Sequence, residues 1–272
     1  MNKQISILGT GWLGLPLANR LIANGYSIKG STTSVDKLDI LKNSGIDPYI
    51  VELKETKSEN QKALFLENSK ILIINVPPGL RRNPESNFVT KIEHIIPYII
   101  TSGVEKVLFI SSTSVYTDKE GFPEITSDTI PNATKNAGKQ LIETEKLLTS
   151  HPSFKATILR FAGLFDSRRH PATMLSKRKN IQNPLAPVNL IHREDCIGVI
   201  QKIIEMDQWD QIFNASYPDH PAKSEYYSTI CKQMNLPIPD YDFESSSKGK
   251  VIASTKVNES LQYDFTHDLY NS

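Results

Sequence analysis

Cysteine is scarce: Cys196 and Cys231 are the only two in 272 residues, and they stand in no CxxC or Cys/His spacing. This excludes a disulfide framework and a structural zinc site, so two idle or buried thiols and no metal site are expected. Charge of one sign is equally lacking. With 31 basic and 30 acidic residues the formal net charge is +1, too little for a field that would gather nucleic acid or an anionic membrane. No segment reaches the roughly 18 apolar residues of a membrane helix. Met1 to Leu8 run almost directly into a strand pattern, without the basic and then apolar order of a secretory signal. The expectation is a cytoplasmic protein with neither nucleic acid nor membrane as a partner. Internal repeats and low-complexity tracts are also missing.

What is present is an ordinary globular composition, 39% hydrophobic and 22% charged, sufficient for a dinucleotide domain with a smaller appended lobe. Strand-length apolar runs alternate with helical patterns through the first half, the signature of βαβ units and a parallel sheet. Gln4–Leu8, 26–31, 49–53, 71–75, 107–110 and 156–159 read as strands. Leu13, Leu17 and Leu21 make a helical stripe that Gly25 can end. The stretch 88–100 reads as one helix, and a further helical pattern surrounds Leu141, Ile142, Leu147 and Leu148. Beyond strand six the rhythm fades. The expected fold is therefore α/β, a Rossmann-like doubly wound parallel sheet over 1–160 with a small C-terminal lobe over 161–272 that closes a cleft.

Directly after the first strand comes Gly9, Thr10, Gly11, Trp12, Leu13, Gly14, opening an amphipathic helix. A pyrophosphate needs close backbone approach and N–H groups at a helix N-terminus, and this turn supplies both. The GxGxxG pattern is weak alone, but here it follows a strand, opens a helix and begins a βαβ unit. A nicotinamide dinucleotide is the expected cofactor. Where NAD-selective chains carry an acid, the end of strand two reads Gly30, Ser31, Thr32, Thr33, Ser34. The hydroxyls, with Lys37, could take a 2′-phosphate, so NADP is favoured over NAD. A plainer alternative stays open, with Ser34 merely capping its helix and Lys37 solvated. Asn75, Val76 and Pro77 end strand four at the carboxyl edge of the sheet, where a cofactor crevice lies. Arg81 and Arg82 follow, able to clamp an anion or simply to be solvated.

At Ser111, Ser112, Thr113, Ser114, Val115, Tyr116 the chain resembles the S-S-x-x-V-Y signature of extended short-chain dehydrogenases and sugar-nucleotide epimerases. The likeness takes in the glycine loop, Leu159-Arg160-Phe161-Ala162-Gly163, Asn189 to Asp195 and Phe213-Asn214-Ala215. More narrowly the chain is similar to the YeeZ group, a bacterial branch of atypical members, through His170-Pro171, Asn189 to Ile200, His220-Pro221-Ala222 and Lys248-Gly249-Lys250.

The resemblance implies that Ser112 hydrogen-bonds the substrate oxygen and that Lys139 holds the nicotinamide ribose. It puts Glu52 near the adenine, and Arg168, Arg169 and His170 where relatives hold substrate phosphates. Extended members often form homodimers. One position departs from the pattern, because the acid/base tyrosine four residues before Lys139 is replaced by Lys135. A lysine would need strong desolvation to act as a base. Tyr116 takes the signature's structural position, so a buried, hydrogen-bonded tyrosine is expected there. Asp195 is read as a helix cap and His192 as a packing residue. Two classes of function fit: an NAD(P)-dependent oxidoreductase or epimerase acting on a small anionic or sugar-like substrate, or a non-enzymatic dinucleotide sensor binding a small effector.

Overall fold

A computed structural model of the chain describes residues 3–56 and 61–271. In order, β1 (Gln4–Leu8), α1 (Gly14–Ala23), β2 (Ser27–Thr32), α2 (Leu38–Asn43), β3 (Asp47–Ile50), α3 (Lys62–Leu66) and β4 (Ile71–Ile74) make the first half. Then follow α4 (Phe88–Glu93), α5 (Ile96–Thr101), β5 (Lys106–Ser112), β6 (Glu124–Ile125), α6 (Asn136–Thr149) and β7 (Lys155–Phe161). The remainder comprises β8 (Gly163–Phe165), α7 (Ala172–Leu175), β9 (Leu190–His192), α8 (Arg193–Glu205), β10 (Ile212–Ala215), α9 (Lys223–Gln233), β11 (Val251–Ile252) and α10 (Thr255–Leu261).

Seven strands form one sheet in the order β10-β7-β5-β4-β1-β2-β3. β1 pairs in parallel with β2 on one side and β4 on the other, β2 with β3, and β4 with β5. This is the doubly wound Rossmann-like architecture that the alternating pattern predicts. The chain winds outward from β1 to β3 and then returns to β4 on the far side of β1. The strand order therefore reverses between β1 and β4, and the loops leaving their carboxyl ends flank the crevice that such a reversal opens. β4 is buried along most of its length, as its unbroken apolar run demands, and Ile5, Ile7, Leu72, Ile73, Val107 and Phe109 fill the interior around it.

The single helix expected over 88–100 is two. α4 ends at Glu93, and α5 begins at Ile96 with Pro97 in its first turn. A proline has no N–H to donate and fits only a helix start, so the chain must restart there. The irregular stretch after β5 carries a 3-10 turn (Thr113–Val115) and β6, which pairs in parallel with β11.

The fold divides into two compact units, each drawn from several segments. The first comprises Met1–Val115, Ala133–Leu159 and Ile203–Ile212; the second comprises Tyr116–Asn132, Arg160–Lys202 and Phe213–Ser272. The sequence-based expectation instead divides the chain at 160 into two consecutive stretches. The second unit holds the two small sheets, β6 with β11 and β8 with β9. Its core gathers Phe165, Leu190, Tyr226, Ile230, Cys231 and Leu269. Among the described residues no helix is long and apolar enough to cross a membrane.

Candidate functional site

The three glycines of the loop after β1 have different reasons to be glycine. Gly9 has φ +99°, and a Cβ there would stand 2.5 Å from the Asn75 carbonyl oxygen. A Cβ on Gly14 would lie 2.2 Å from the Gly9 carbonyl oxygen, so the start of α1 presses directly on the loop. Gly11 is exposed, and a Cβ there would meet nothing within 4 Å. The fold thus explains Gly9 and Gly14 but imposes nothing on Gly11, whose bare backbone faces open space. α1 starts at Leu13 without a side-chain cap and has no acidic residue in its first turn. Its positive dipole end is therefore left to an anion. Leu13 is buried and Trp12 half-buried beside it.

Around the end of β2 the hydroxyls divide. Thr10 donates both its N–H (2.9 Å) and its hydroxyl (2.5 Å) to the Ser31 carbonyl, and Ser31 Oγ accepts the Gly9 N–H at 2.9 Å. The Ser34 side chain makes no capping bond. Thr32 takes the turn instead, its hydroxyl accepting the Ser34 N–H at 3.1 Å. Thr33 and Lys37 are exposed, as is Asp36 between them. Glu52 is exposed and paired with Lys54 at 3.1 Å. At the end of β4, Asn75 Nδ2 donates to the Gly9 carbonyl at 3.0 Å, with Val76 half-buried and Pro77 exposed next in line. Arg81 and Arg82 are exposed on the turn that follows Gly79.

At the end of β5, Ser111 turns inward and donates to the buried Glu145 of α6 at 2.5 Å. Ser112 faces the other way and is half-buried, its Oγ accepting the Ser114 N–H at 3.1 Å. α6 is drawn onto this turn by Gly138, where a Cβ would stand 2.8 Å from the Ser114 carbonyl and 2.4 Å from Ala133 Cβ. Lys139 is therefore carried in the first turn of a helix locked to the Ser112 segment. Lys135 caps that helix in an extended conformation, its carbonyl accepting the Lys139 N–H at 3.0 Å. Both lysine side chains are exposed, so the desolvation that an amine base requires is missing at Lys135.

In the second unit Tyr116 is buried, as its structural position implies. Its hydroxyl meets Asn214 Oδ1 at 3.2 Å and the Arg160 guanidinium, which also lies over its ring. The buried Asp166 accepts the backbone N–H groups of Arg168 (3.0 Å) and Arg169 (2.7 Å) and pairs with Arg193 at 2.6 Å, leaving both arginine side chains exposed. His170 differs from its neighbours. It is buried, its Nδ1 accepts the Ala172 N–H at 3.1 Å, and its Nε2 donates to the Tyr226 hydroxyl at 3.0 Å. Burial pulls its pKa down to about 4, so the ring is neutral and committed to packing. His192 likewise packs, stacked on His267 with ring centroids 4.3 Å apart, and burial lowers its pKa.

Asp195 is not the expected cap. It is fully buried and takes the Tyr263 hydroxyl (2.8 Å), the Thr266 N–H (3.0 Å) and the His267 N–H (3.1 Å), tying the C-terminal segment to α8. Single-sequence reasoning missed this clamp and the Ser31 and Asn75 contacts with the glycine loop. Spacing alone carries no trace of partners 22 to 72 residues away.

No family model matches the chain. Two solved structures with the same fold are UDP-glucose 4-epimerase with UDP-glucose from Thermotoga maritima and UDP-glucuronic acid 4-epimerase in complex with NAD from Bacillus cereus. Each superposes with a TM-score of 0.79 at 16% identity over 98% of this chain, covering 95% and 93% of the respective partner. A functionally unknown conserved protein from Silicibacter pomeroyi gives 0.79 at 18% identity, covering 98% of this chain and 95% of the other. Protein YeeZ of Escherichia coli is 30% identical over 267 residues, 97% of this chain and 96% of its own length. With that identity spread over nearly both full lengths, the chain belongs to the YeeZ family.

Proposed function

We propose that the chain binds a nicotinamide dinucleotide at the loop 9–14 and works as an oxidoreductase or epimerase of the epimerase/dehydratase type on a small anionic or sugar-like substrate. One observation carries the reading: Gly11, at the carboxyl end of β1 and beside the strand-order reversal, is exposed with nothing within 4 Å of its missing side chain. A pyrophosphate against bare backbone accounts for a glycine that packing does not. Two fold neighbours are described with UDP-glucose or NAD, which fits the same class.

The adenosine end would lie along the end of β2. Thr33 and Lys37 are exposed there, and residues 30–34 at the strand end hold no carboxylate, the first being Asp36, which favours the 2′-phosphorylated form. Asn75, Val76 and Pro77 would border the cofactor from β4, with Glu52 toward the adenine. When bound, the dinucleotide supplies the hydride donor or acceptor. The Ser112 hydroxyl would polarise the substrate oxygen, and the Lys139 ammonium, carried on the helix that Gly138 seats against the turn after Ser112, would bind the nicotinamide ribose. Exposed Arg81 suits an anionic group on a substrate.

Fluorescence titration with NADPH and NADH tests the reading. NADPH is expected to bind more tightly; equal affinities would remove the 2′-phosphate assignment, and no binding of either would remove the dinucleotide itself. Reduced-nicotinamide absorbance followed across carbonyl and alcohol panels then tests turnover.

A further inference from the structure

Gly9 lies between the two strands that flank β1, and both polar groups of its backbone are held by side chains from them. On the β2 side Ser31, 2% exposed, accepts its N–H at 2.9 Å. On the β4 side Asn75 donates Nδ2 to its carbonyl at 3.0 Å. With φ at +99° and no Cβ, this residue has little of its own to fix the orientation of its peptide planes. A rotation there would redirect every N–H between it and α1. The start of α1 adds a tight limit, since the Gly14 Cβ position is 2.2 Å from the same Gly9 carbonyl and 3.1 Å from Asn75 Nδ2.

We infer that Ser31 and Asn75 are positioning residues, which aim the glycine loop by fixing the two sides of Gly9 from opposite neighbouring strands. The inference rests on the dinucleotide reading and deepens it. It also takes the Ser31 hydroxyl out of the group available to a 2′-phosphate, leaving Thr33 and Lys37 for that contact. Ser31 and Asn75 act through the loop, so their effect falls on the pyrophosphate and spares the adenosine end.

The test compares Ser31→Ala, Ser31→Thr and Asn75→Asp with wild type. Asn75→Asp keeps the size but replaces the donor with an oxygen facing the Gly9 carbonyl; Ser31→Thr keeps the hydroxyl. NADPH binding is read by fluorescence, and adenosine 2′-monophosphate, which lacks the pyrophosphate, by calorimetry. Ser31→Ala and Asn75→Asp are expected to weaken NADPH about tenfold while changing the mononucleotide less than about twofold, with Ser31→Thr near wild type. Equal losses for both ligands, or none for either, would overturn the inference. Amide hydrogen exchange over residues 9–14 without ligand gives a second readout, expected to quicken in Ser31→Ala and Asn75→Asp. Unchanged exchange overturns the pinning. Wild-type protein that binds neither ligand overturns the dinucleotide reading, and exchange alone then decides whether the loop is held by these two residues.

Discussion

Three glycines in one loop give a graded experiment. Alanine at Gly9 or Gly14 drives a methyl group to within 2.5 or 2.2 Å of a backbone oxygen, and at Gly9 it adds the strain of a positive φ. Each should cost about 2 kcal/mol or more in urea denaturation. Gly11→Ala meets no protein atom, so its stability should stay within about 0.5 kcal/mol of wild type while NADPH affinity falls about tenfold or more. A Gly11→Ala protein that binds as tightly as wild type would remove the pyrophosphate from this loop. His170 supplies a pH experiment. Above its ordinary pKa of 6.5 it is neutral in both folded and unfolded chains. Below that, the unfolded chain takes up a proton that the folded ring, with a pKa of about 4, refuses. Stability is therefore lost as pH falls from 6.5 towards 4, by up to about 3 kcal/mol. His192, lowered in the same direction, adds to the slope. Urea midpoints across that window should fall steeply for wild type and less steeply for His170→Gln.

Elements with strong periodicity were legible. β1 is found over the residues its apolar run marks, and α6 covers the pattern around Leu141, Ile142, Leu147 and Leu148. The losses have physical causes. The β6 and β11 strands are two residues each, too short for alternation to show, and exist because they pair with one another. The 88–100 helix hid a break that Pro97 announced in the sequence but that the continuous apolar face concealed. Asp195 looked like a cap because acidic residues favour first turns, yet its partners come from Tyr263 to His267, which no local pattern connects to it. Tyr263 also lies where a Cβ on Gly198 would be 2.4 Å from its ring, so the segment is seated against α8. Asp195→Ala should leave the Tyr263 hydroxyl and the Thr266 and His267 N–H groups without their acceptor and untie the C-terminal segment, lowering stability by about 2 kcal/mol. It should also admit protease cleavage near residue 263 under conditions where wild type is resistant, and an unchanged digestion pattern would show that the clamp is dispensable.

For the molecule as a whole, the glycine loop was readable directly, because it is a local phrase between a strand and a helix. The way the chain is shared between its units was not, since it depends on which distant segments condense together. A fragment of residues 1–160 would contain 116–132 without its own unit's other segments, and would lack 203–212, which belong with the first unit. Such a fragment should show a broad, low-temperature unfolding transition by circular dichroism; a sharp transition at the wild-type temperature would mean that 203–212 contribute little. Dinucleotide binding should also appear as linkage. At NADPH about 100-fold above its dissociation constant the folded state gains about 2.7 kcal/mol, raising the unfolding temperature by about 5–10 °C.

Gly138, lying between the Lys135 and Lys139 positions, has a consequence for descent. Any side chain there would press on Ala133 and the Ser114 carbonyl and force the start of α6 off the turn after Ser112. A lineage could change residue 135 with little disturbance, since that side chain is exposed. It could not fill position 138 without dismantling the frame. Among diverging relatives, then, glycine at 138 should be retained where residue 135 varies, and its loss would mark chains in which α6 has left this turn.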